Sequence, residues 1–436
     1  MRTQHARAAM SRRGLAAAVL AGGIAVAGVM APATATAATW SAPVALGTVS
    51  GTPTPALVTA GQPSGPAVVA WTGNGLVNAS VRAVSAGWSR AVVVSAAGQT
   101  AFSPAAVVRP DGSVVMAWAA QRPADTVIES SAWTAAAGWS TPVIVSRTGL
   151  AAGPVALGVD GTGNVLAAWG QYDSSSGAIS VASATLPATG SWSAPATLAT
   201  PAGNFGSYIR QVSVAVNSSG AAVVGWIRKY NDLFGDVVFR PAGGSFGAPV
   251  TIAAGPWRPA LQQLHSLQLA IDATGRASAT WNNSYANASA QKGNGTWAPA
   301  TVFPLAYASN PALAVDATGT AQMLWAVGGA QSSSLPPAGS WTTPATAVLP
   351  GSKPVFLGLA PNGVNDFAGW YDNAANEITA ATHTSAGWGT ATQVSPPLGA
   401  QAWIAAVSTA PAGSGALIAW ISGTSTQGTV QVSTGS

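Results

Sequence analysis

The chain has 436 residues, of which 48% are hydrophobic and only 7% charged, and it contains no cysteine. This length exceeds one ordinary core and suits two or three domains or a single array of repeats. Gly, Pro, Asn, Ser and Thr interrupt every apolar run after the N-terminus within about ten residues, which excludes a bundle of membrane-spanning helices, and the lack of cysteine excludes a disulfide-stabilised scaffold.

The first 37 residues have the pattern of an export signal peptide. Arg2, Arg7, Arg12 and Arg13 precede the apolar run GLAAAVLAGGIAVAGVM, and the small residues of ATATAA predict cleavage after Ala37. The phrase SRRGLA is similar to the twin-arginine export motif, although the Lys that usually follows it is missing. The pattern predicts a secreted, extracellular protein and leaves the twin-arginine and the general secretory routes both open.

Removal of residues 1–37 changes the charge balance. Four of the 17 basic residues and none of the 12 acidic residues lie in this segment, so the mature chain keeps thirteen basic and twelve acidic residues, a net charge of +1. Such a balance provides no general attraction to nucleic acid or to anionic lipid. We therefore expect no nucleic-acid partner and no membrane association of the mature form.

Two series of aromatic residues divide the remaining chain into repeats of about fifty residues. The first series ends an apolar run and consists of Trp71, Trp118, Trp169, Trp226, Trp281, Trp325, Trp370 and Trp420. The second opens a phrase similar to WSAPV and consists of Trp40, Trp88, Trp139, Trp192, Phe246, Trp297, Trp341 and Trp388. Each series has eight members, and we number the repeats 1 to 8 after the first series.

Repeat 6 shows how one repeat predicts four strands. PALAVD (311–316) predicts the first strand, TAQMLW (320–325) the second, a short segment the third, and WTTPATAVL (341–349) the fourth. Asp, Asn and Gly recur between the first two strands, as tight turns require. Asp160, Asp272 and Asp316 lie in these turns and are predicted to cap them. The helical alternative is disfavoured by frequent Gly and Pro and by the Val and Thr between them.

Both tryptophan series are predicted to wedge between neighbouring sheets. One buried Trp covers roughly 150–250 Å². Sixteen such wedges would take the place of disulfides in an exported protein without cysteine.

The two ends of the mature chain are complementary. WSAPVAL (40–46) stands alone as a fourth strand, whereas AWIAAVS, ALIAW and TVQVST at the C-terminus give three strands without a fourth. Their pairing would complete repeat 8 and remove the open edges of a linear array. The pattern resembles the blades of a β-propeller, and we predict an all-β fold with residues 38–436 forming one eight-bladed propeller of four-stranded antiparallel blades, closed by the N-terminal strand.

The predicted architecture resembles the propellers of bacterial secreted lectins and sialidases, without their site motifs. Sialidase-type propellers carry S-x-D-x-G-x-x-W boxes, whereas this chain has D-x-x-G-x-x-x-x-x-W. The W-S-x-P phrase and the period are similar to propeller lectins, but no sugar-contact signature accompanies them. The resemblance therefore implies a fold and transfers no site residue.

The predicted binding site lies in the connections at one end of the repeats. Strand alternation places the connections between second and third strands, and those entering each first strand, on one face, and these connections vary in length. Aromatic rings stack on pyranose faces while amides bind hydroxyls, so such loops suit a sugar; a solvated rim with Trp257 as a plug is the alternative. The candidate ligand-binding residues are Tyr172, Asp173, Arg228, Tyr230, Asp232, Asn283, Tyr285, Trp257, Arg258, Tyr371, Asp372 and Trp403.

The motif search argues against catalysis. The mature chain has two His and no Cys, and it lacks G-x-S-x-G and H-E-x-x-H. NDLFGD (231–236) lacks the oxygen ligands of a calcium loop, so we predict no metal and no cofactor. We predict a monomeric, non-enzymatic protein that binds a glycan or cell-wall polymer. The alternatives are a sialidase-like hydrolase with Tyr230 as nucleophile and an extracellular protein-interaction scaffold.

Overall fold

The computed structural model describes residues 38–50, 56–62, 65–84, 86–203, 206–255, 264, 266–283, 285–291, 295–303, 311–327, 329–346, 354–363, 365–398, 403–412, 415–424 and 427–435. Within these ranges the regular structure is β-strand throughout, which confirms the all-β prediction. A membrane-spanning helix is not found in this part of the chain.

The first strand of the chain, β1 (Val44–Ser50), precedes the first four repeats. Repeat 1 contains β2 (Leu57–Gly61), β3 (Ala67–Gly73), β4 (Leu76–Arg82) and β5 (Val92–Val93). Repeat 2 contains β6 (Thr100–Val108), β7 (Val114–Gln121), β8 (Thr126–Thr134), β9 (Gly138–Trp139) and β10 (Val143–Ile144). Repeat 3 contains β11 (Ala151–Val159), β12 (Val165–Tyr172), β13 (Ile179–Leu186) and β14 (Ala196–Ala199), and repeat 4 contains β15 (Tyr208–Val216), β16 (Ala222–Tyr230), β17 (Asp232–Arg240) and β18 (Val250–Gly255).

The last four repeats have the same order of strands. Repeat 5 contains β19 (Leu267–Ile271), β20 (Ala277–Asn282), β21 (Ala286–Ala290) and β22 (Thr301–Phe303), and repeat 6 contains β23 (Ala312–Val315), β24 (Ala321–Ala326), β25 (Ala330–Leu335) and β26 (Ala345–Thr346). Repeat 7 contains β27 (Pro354–Asn362), β28 (Asn365–Asp372), β29 (Glu377–Thr384), β30 (Gly387–Trp388) and β31 (Thr392–Gln393). Repeat 8 contains β32 (Trp403–Ala412), β33 (Gly415–Gly423) and β34 (Gln427–Gly435).

Within each repeat, successive strands pair antiparallel in chain order, except that β10 pairs with β8 and β31 pairs with β29. Among the described residues one parallel pair, Ala151 with Thr126, joins the sheets of repeats 2 and 3. In repeat 8 the strand beyond β34 is β1, with Val44 opposite Val432, and Trp40 forms a further bridge to Gly435. The first and last described strands of the chain are thus neighbours in one sheet.

The first strands of successive repeats lie beside one another. β2 contacts β6, and the contacts continue through β11, β15, β19, β23 and β27 to β32. β32 in turn contacts β2. These strands are rich in Ala and Gly, which suits a crowded position where several sheets converge.

The first tryptophan series forms the core between neighbouring repeats. All eight side chains are at most 3% exposed. Trp169 packs with Ala117, Ala119 and Ile128 of the preceding repeat. Trp71 packs in the same way with Leu417 and Ala419 of repeat 8. The prediction that this series wedges between sheets is confirmed.

The second aromatic series is only half-buried, so these residues bury less surface than the full area assumed for each wedge. These residues follow the third strand and pack against the margins of the apolar clusters, as Trp192 does beside the Trp169 cluster. The fourth strands beyond them are short. Within the predicted strand 341–349 the structure has Ala345–Thr346, and residues 347–349 lie outside the described ranges. An outer edge facing solvent explains both results.

In repeats 3 to 6, the turns between first and second strands are closed by their own Asp or Asn. Asp160 Oδ1 accepts hydrogen bonds from the Thr162 and Asn164 backbone amides at 2.9 and 2.8 Å. Asp272 and Asp316 accept the corresponding bonds in repeats 5 and 6. The prediction that these aspartates are turn caps is confirmed.

Candidate ligand-binding face

The two ends of the repeats differ, and we name them by their connections. The turn face contains the capped turns between first and second strands. The loop face contains the connections between second and third strands and the starts of the first strands. Each repeat contributes connections to both faces, so the same sheets support both faces.

In repeat 4, the predicted site residues lie in strands rather than in a loop. Tyr230 pairs with Asp232, and Asn231 alone forms the tip of the hairpin with a φ of 58°. The positive φ suits Asn, which tolerates the left-handed conformation better than most residues. Arg228, Tyr230 and Asp232 are therefore held on a rigid hairpin, which corrects the prediction that they belong to an irregular connection.

Arg228 is fixed by a buried carboxylate. Its Nε lies 2.6 Å from Asp236 Oδ2, and its guanidinium lies 4.2 Å from the centre of the Phe234 ring. Thr251 from β18 donates to the other oxygen of Asp236 at 2.5 Å. Because Asp236 is 4% exposed, this pair is well screened from solvent and sets the direction of Arg228.

Repeat 2 has a similar arrangement. Arg122 Nη2 lies 2.7 Å from Glu129 Oε1, and Gln99 Nε2 donates to Glu129 Oε2 at 2.7 Å. Glu129 is buried, whereas the Arg122 side chain is 31% exposed. A buried carboxylate thus positions a partly exposed arginine at the loop face of two repeats.

Repeat 3 places Tyr172 at the end of β12 and Asp173 in the following turn. Tyr172 packs partly buried against the apolar cluster of Trp226. Asp173 Oδ1 accepts bonds from the Ser175 hydroxyl and amide at 2.6 and 2.9 Å, and Oδ2 accepts the Ser176 hydroxyl at 2.7 Å. The hydrogen bonds from Ser175 and Ser176 lower the pKa of Asp173 to about 2.

Repeat 5 contributes amides and one exposed ring. Asn287 Nδ2 donates to Asn283 Oδ1 at 2.7 Å and to the Tyr285 carbonyl at 2.9 Å. The Tyr285 side chain is 38% exposed. A buried amide therefore shapes the connection that presents Tyr285.

Repeat 7 uses its predicted residues internally. Tyr371 is 9% exposed, and its hydroxyl donates to Asn376 Oδ1 at 2.8 Å. Asp372 is buried and caps the next turn through the Ala374 amide at 2.8 Å. These two residues support the loop, and little of their surface is accessible to a ligand.

The remaining predicted residues differ in how far the structure describes them. Trp257 and Arg258 lie outside the described residues. Trp403 begins β32, and its side chain is outside the description. Of the other nine candidates, Tyr172 packs against repeat 4 and Tyr371 against Trp420 of repeat 8. Convergence of the whole set in one pocket stays a prediction.

Two exposed rings of the loop face were missed by the sequence analysis. Phe102 and Tyr208 lie near the starts of β6 and β15 and are 36% and 38% exposed. Ser103, beside Phe102, has a φ of 50°, and both strands contain a bulge close to the ring. A large aromatic near the start of a first strand, where the other repeats mostly have small or aliphatic residues, was the available signal.

A polar position opposite the buried tryptophans was also missed. The third-strand residue that faces each first-series Trp is polar in seven repeats; in chain order the facing residues are Asn78, Glu129, Ala182, Asp236, Asn287, Gln331, Thr379 and Gln431. Trp420 Nε1 donates to Gln431 Oε1 at 3.1 Å. Glu129 and Asp236, which hold the two arginines, occupy this position.

A recess of about 400 Å³ lies at the loop face of repeat 8. Hydroxyl and amide side chains line it between the ends of β1, β33 and β34, including Thr48, Ser50, Ser422 and Gln427. None of the twelve predicted residues lines it. It adds uncharged hydrogen-bonding groups to the loop face.

The described residues contain no group of three or more His, Cys, Asp and Glu that could hold a metal ion. At the turn face, His383 Nδ1 lies 3.7 Å from Asp366 Oδ2. Burial, with a smaller contribution from Asp316, raises the pKa of Asp366, although His383 opposes this shift.

Comparisons with known proteins identify no family. No family model matches the chain, and no curated protein is significantly similar to it. Among solved structures, the Hadza microbial sialidase Hz136 is similar at 12% identity and a TM-score of 0.45, over 83% of this chain and 75% of that chain. A puromycin hydrolase is similar at 14% identity and a TM-score of 0.49, over 86% and 59%. The lectin of Aleuria aurantia, a six-bladed β-propeller with a fucose recognition mode, is similar at 12% identity and a TM-score of 0.38, over 79% and 95%.

Proposed function

We propose that the protein is an exported, non-enzymatic binding protein whose loop face recognises a carbohydrate or a cell-surface polymer. The observation that carries this proposal is the distribution of exposed rings. The three most exposed aromatic side chains of the described residues, Phe102, Tyr208 and Tyr285, all lie on the loop face. Exposed rings on or beside strands provide flat apolar contacts at low entropic cost, as sugar faces require.

The polar groups around these rings support the same ligand class. Arg228 and Arg122 are oriented by buried carboxylates, and Asn283 and Asn287 form an amide pair beside Tyr285. Such groups can hydrogen-bond hydroxyls in fixed directions. Since both arginines are already paired with a carboxylate of their own repeat, binding is favoured over a sialidase-like reaction that would need them free for substrate.

A glycan array and isolated cell walls, probed with the mature protein, test this function. Alanine at Phe102, Tyr208 and Tyr285 together should weaken binding roughly tenfold or more, because each ring contributes contact area. The matched control places alanine at Val93, Val143 and Val302, which are equally apolar and 52–53% exposed but lie on outer strands. Absence of binding to every glycan and wall preparation would remove the proposal.

The finer architecture is part of the proposal: residues 38–436 form one closed ring of eight blades. Support comes from β1, which completes the sheet of repeat 8, and from the unbroken series of contacts between first strands that returns from β32 to β2. Trp71, packed between repeats 8 and 1, supports it further.

Deletion of residues 38–48 tests the closure. The variant would expose the edge of β34, where Thr429 now pairs with Thr48, so it should melt well below the wild type and associate through that edge. Thermal unfolding and light scattering measure the two effects. An unchanged melting temperature with a monomeric variant would favour an open array or a seven-bladed ring with a spare repeat.

Export is proposed from residues 1–37, which lie outside the described residues. If the twin-arginine route is used, replacing Arg12 and Arg13 by Lys should block the appearance of the protein in culture medium. Unaltered export of this variant would assign the general secretory route. Retention of the wild type inside cells would contradict an extracellular function.

A further inference from the structure

A second recess lies between repeats 5 and 6, at the turn-face end of the sheets and away from the loop face. Its volume is about 370 Å³, within the range of small-molecule sites. Arg276, Ser289 and Gln291 from repeat 5 line one side. The connection between the third and fourth strands of repeat 6 lines the other, with Leu335, Pro337 and Trp341.

We propose that this recess binds an acidic sugar, a monosaccharide unit carrying a carboxylate. Arg276 is the charged residue of its lining, and no carboxylate accompanies it there. The guanidinium is anchored because Nη1 donates to the Pro336 carbonyl at 2.8 Å and also to the Pro337 carbonyl. Among the described residues its Nε and Nη2 have no partner, so two donors remain for a bidentate carboxylate.

The remaining walls suit a sugar ring. Trp341 is half-buried and its indole nitrogen is inaccessible, so the ring offers the ligand carbon surface rather than a donor. Gln291 is 4% exposed, and its Nε2 donates to the Gly295 carbonyl at 3.0 Å. Its Oε1 has no hydrogen-bond partner within the described ranges and can accept from a hydroxyl. The recess thus combines the positive charge of Arg276, the flat apolar surface of Trp341 and the hydrogen-bond acceptor of Gln291.

The junction between repeats 2 and 3 provides an internal comparison. LPATGSW (186–192) corresponds there to LPPAGSW (335–341), and Arg109 Nη2 donates to the Pro187 carbonyl at 3.0 Å. Six residues before the second-series Trp, however, repeat 2 has Trp133 and repeat 5 has Gln291. Trp133 packs against the apolar cluster of Trp118. The same framework therefore carries a large ring at one junction and a small amide at the other.

Titration of the mature protein with glucuronic acid and with glucose, followed by NMR, tests the site, because the two sugars differ in the carboxylate. We expect glucuronic acid to bind at least tenfold more tightly. Gln291→Trp, which copies repeat 2, should abolish this binding, and Arg276→Gln should remove the preference for the acid. The Phe102, Tyr208 and Tyr285 alanine variant should bind glucuronic acid as the wild type does, which separates this site from the loop face.

Three results would overturn the proposal. These are no binding of glucuronic acid to the wild type at millimolar concentration, equal binding of glucose, and unchanged binding to a folded Gln291→Trp variant. Thermal melting of each variant establishes that it is folded. If Arg276→Gln unfolds because its carbonyl contacts are lost, the Gln291→Trp result decides the case by itself.

Discussion

Repeat 3 carries one capping aspartate at each end, and the two differ in what they hold. Asp160 on the turn face is partly buried, and its carboxylate accepts four hydrogen bonds from Thr162 and Asn164. Asp173 on the loop face, also partly buried, accepts bonds from Ser175 and Ser176, which are both exposed. The same residue type thus serves a packed junction at one end and a free-standing turn at the other.

The difference extends to contacts between repeats. On the turn face, the Gly161 amide donates to the Ser218 carbonyl at 3.0 Å, and the Ala317 amide donates to the Gly363 carbonyl at 2.7 Å, each reaching the next repeat. The loop-face ion pairs of Arg122 and Arg228 stay within one repeat. Near the starts of the first strands the loop face does have contacts between repeats, as where Gln211 Nε2 donates to the Leu267 carbonyl at 2.9 Å. The two arginines, by contrast, can change without disturbing a neighbouring repeat, which suits a binding surface.

Removing the core that both faces share should have the largest effect. Trp169→Ala deletes a fully buried ring and its bond to Gln171 Oε1, so we expect a loss of about 3–5 kcal/mol in the free energy of unfolding. Trp192→Ala, at a half-buried position, should cost about 1–2 kcal/mol. Urea denaturation measures both. Equal losses would show that the two tryptophan series contribute alike and that burial does not separate them.

A turn-face variant should have the next largest effect. Asn217 caps its own turn through the Ala221 amide at 2.9 Å and donates to the Asp272 carbonyl of repeat 5 at 2.8 Å. Asn217→Ala loses both and leaves buried groups unsatisfied, so we expect about 2–3 kcal/mol of destabilisation. Asn217→Asp keeps the cap and loses the donor, and it should lie between alanine and wild type. If Asn217→Asp is as stable as the wild type, the hydrogen bond from Asn217 to the Asp272 carbonyl contributes nothing to stability.

The sequence was sufficient for the strands, the capped turns and the inner tryptophans. Each of these follows from a local pattern, since Trp169 ends an apolar run and Asp160 precedes a Gly at fixed spacing. The degree of burial at Trp192 was not predictable in this way. It depends on how short and exposed the fourth strands are, which is set by the edge of the sheet rather than by the phrase itself.

The candidate site was predicted less well because it depends on contacts between strands. The sequence identified Arg228 as a candidate. Its partner Asp236 lies eight residues later in the chain, and their contact depends on the register of the hairpin formed by β16 and β17. Phe102 and Tyr208 were missed because each lies in a strand otherwise typical of the core. The recess beside Gln291 forms where repeats 5 and 6 pack together, and the regular spacing of the tryptophans along the chain does not reveal that packing.

Alanine at the two aspartates of repeat 3 tests the comparison directly. Asp160→Ala should lower the free energy of unfolding by about 1–2 kcal/mol, because the turn loses several hydrogen bonds at a partly buried position. Asp173→Ala should lower it less, since its partners Ser175 and Ser176 are exposed and can bond to water instead. Both variants can be compared by urea denaturation at neutral pH. A larger loss for Asp173→Ala would mean that the capped turn of the loop face contributes more to stability than that of the turn face.

The smallest expected effect is a pH dependence of opposite sign at the two faces. Burial raises the pKa of Asp366, on the turn face, above its ordinary value of 3.8. The stability it contributes is therefore present below that value and is lost as the pH rises through the raised pKa. Hydrogen bonds lower the pKa of Asp173, on the loop face, to about 2, so its contribution is present above 3.8 and is lost as the pH falls toward 2.

Melting temperatures of Asp366→Asn and Asp173→Asn between pH 2 and pH 8 separate these signs. Asp366→Asn avoids a buried carboxylate whose Oδ1 has no partner among the described residues, so it should melt above the wild type at pH 7 and lose this advantage at pH 3. Asp173→Asn should melt below the wild type at pH 7, and the difference should vanish near pH 2. Curves that run parallel to the wild type would mean that neither carboxylate changes its proton affinity on folding, and the electrostatic part of the contrast between the two faces would be wrong.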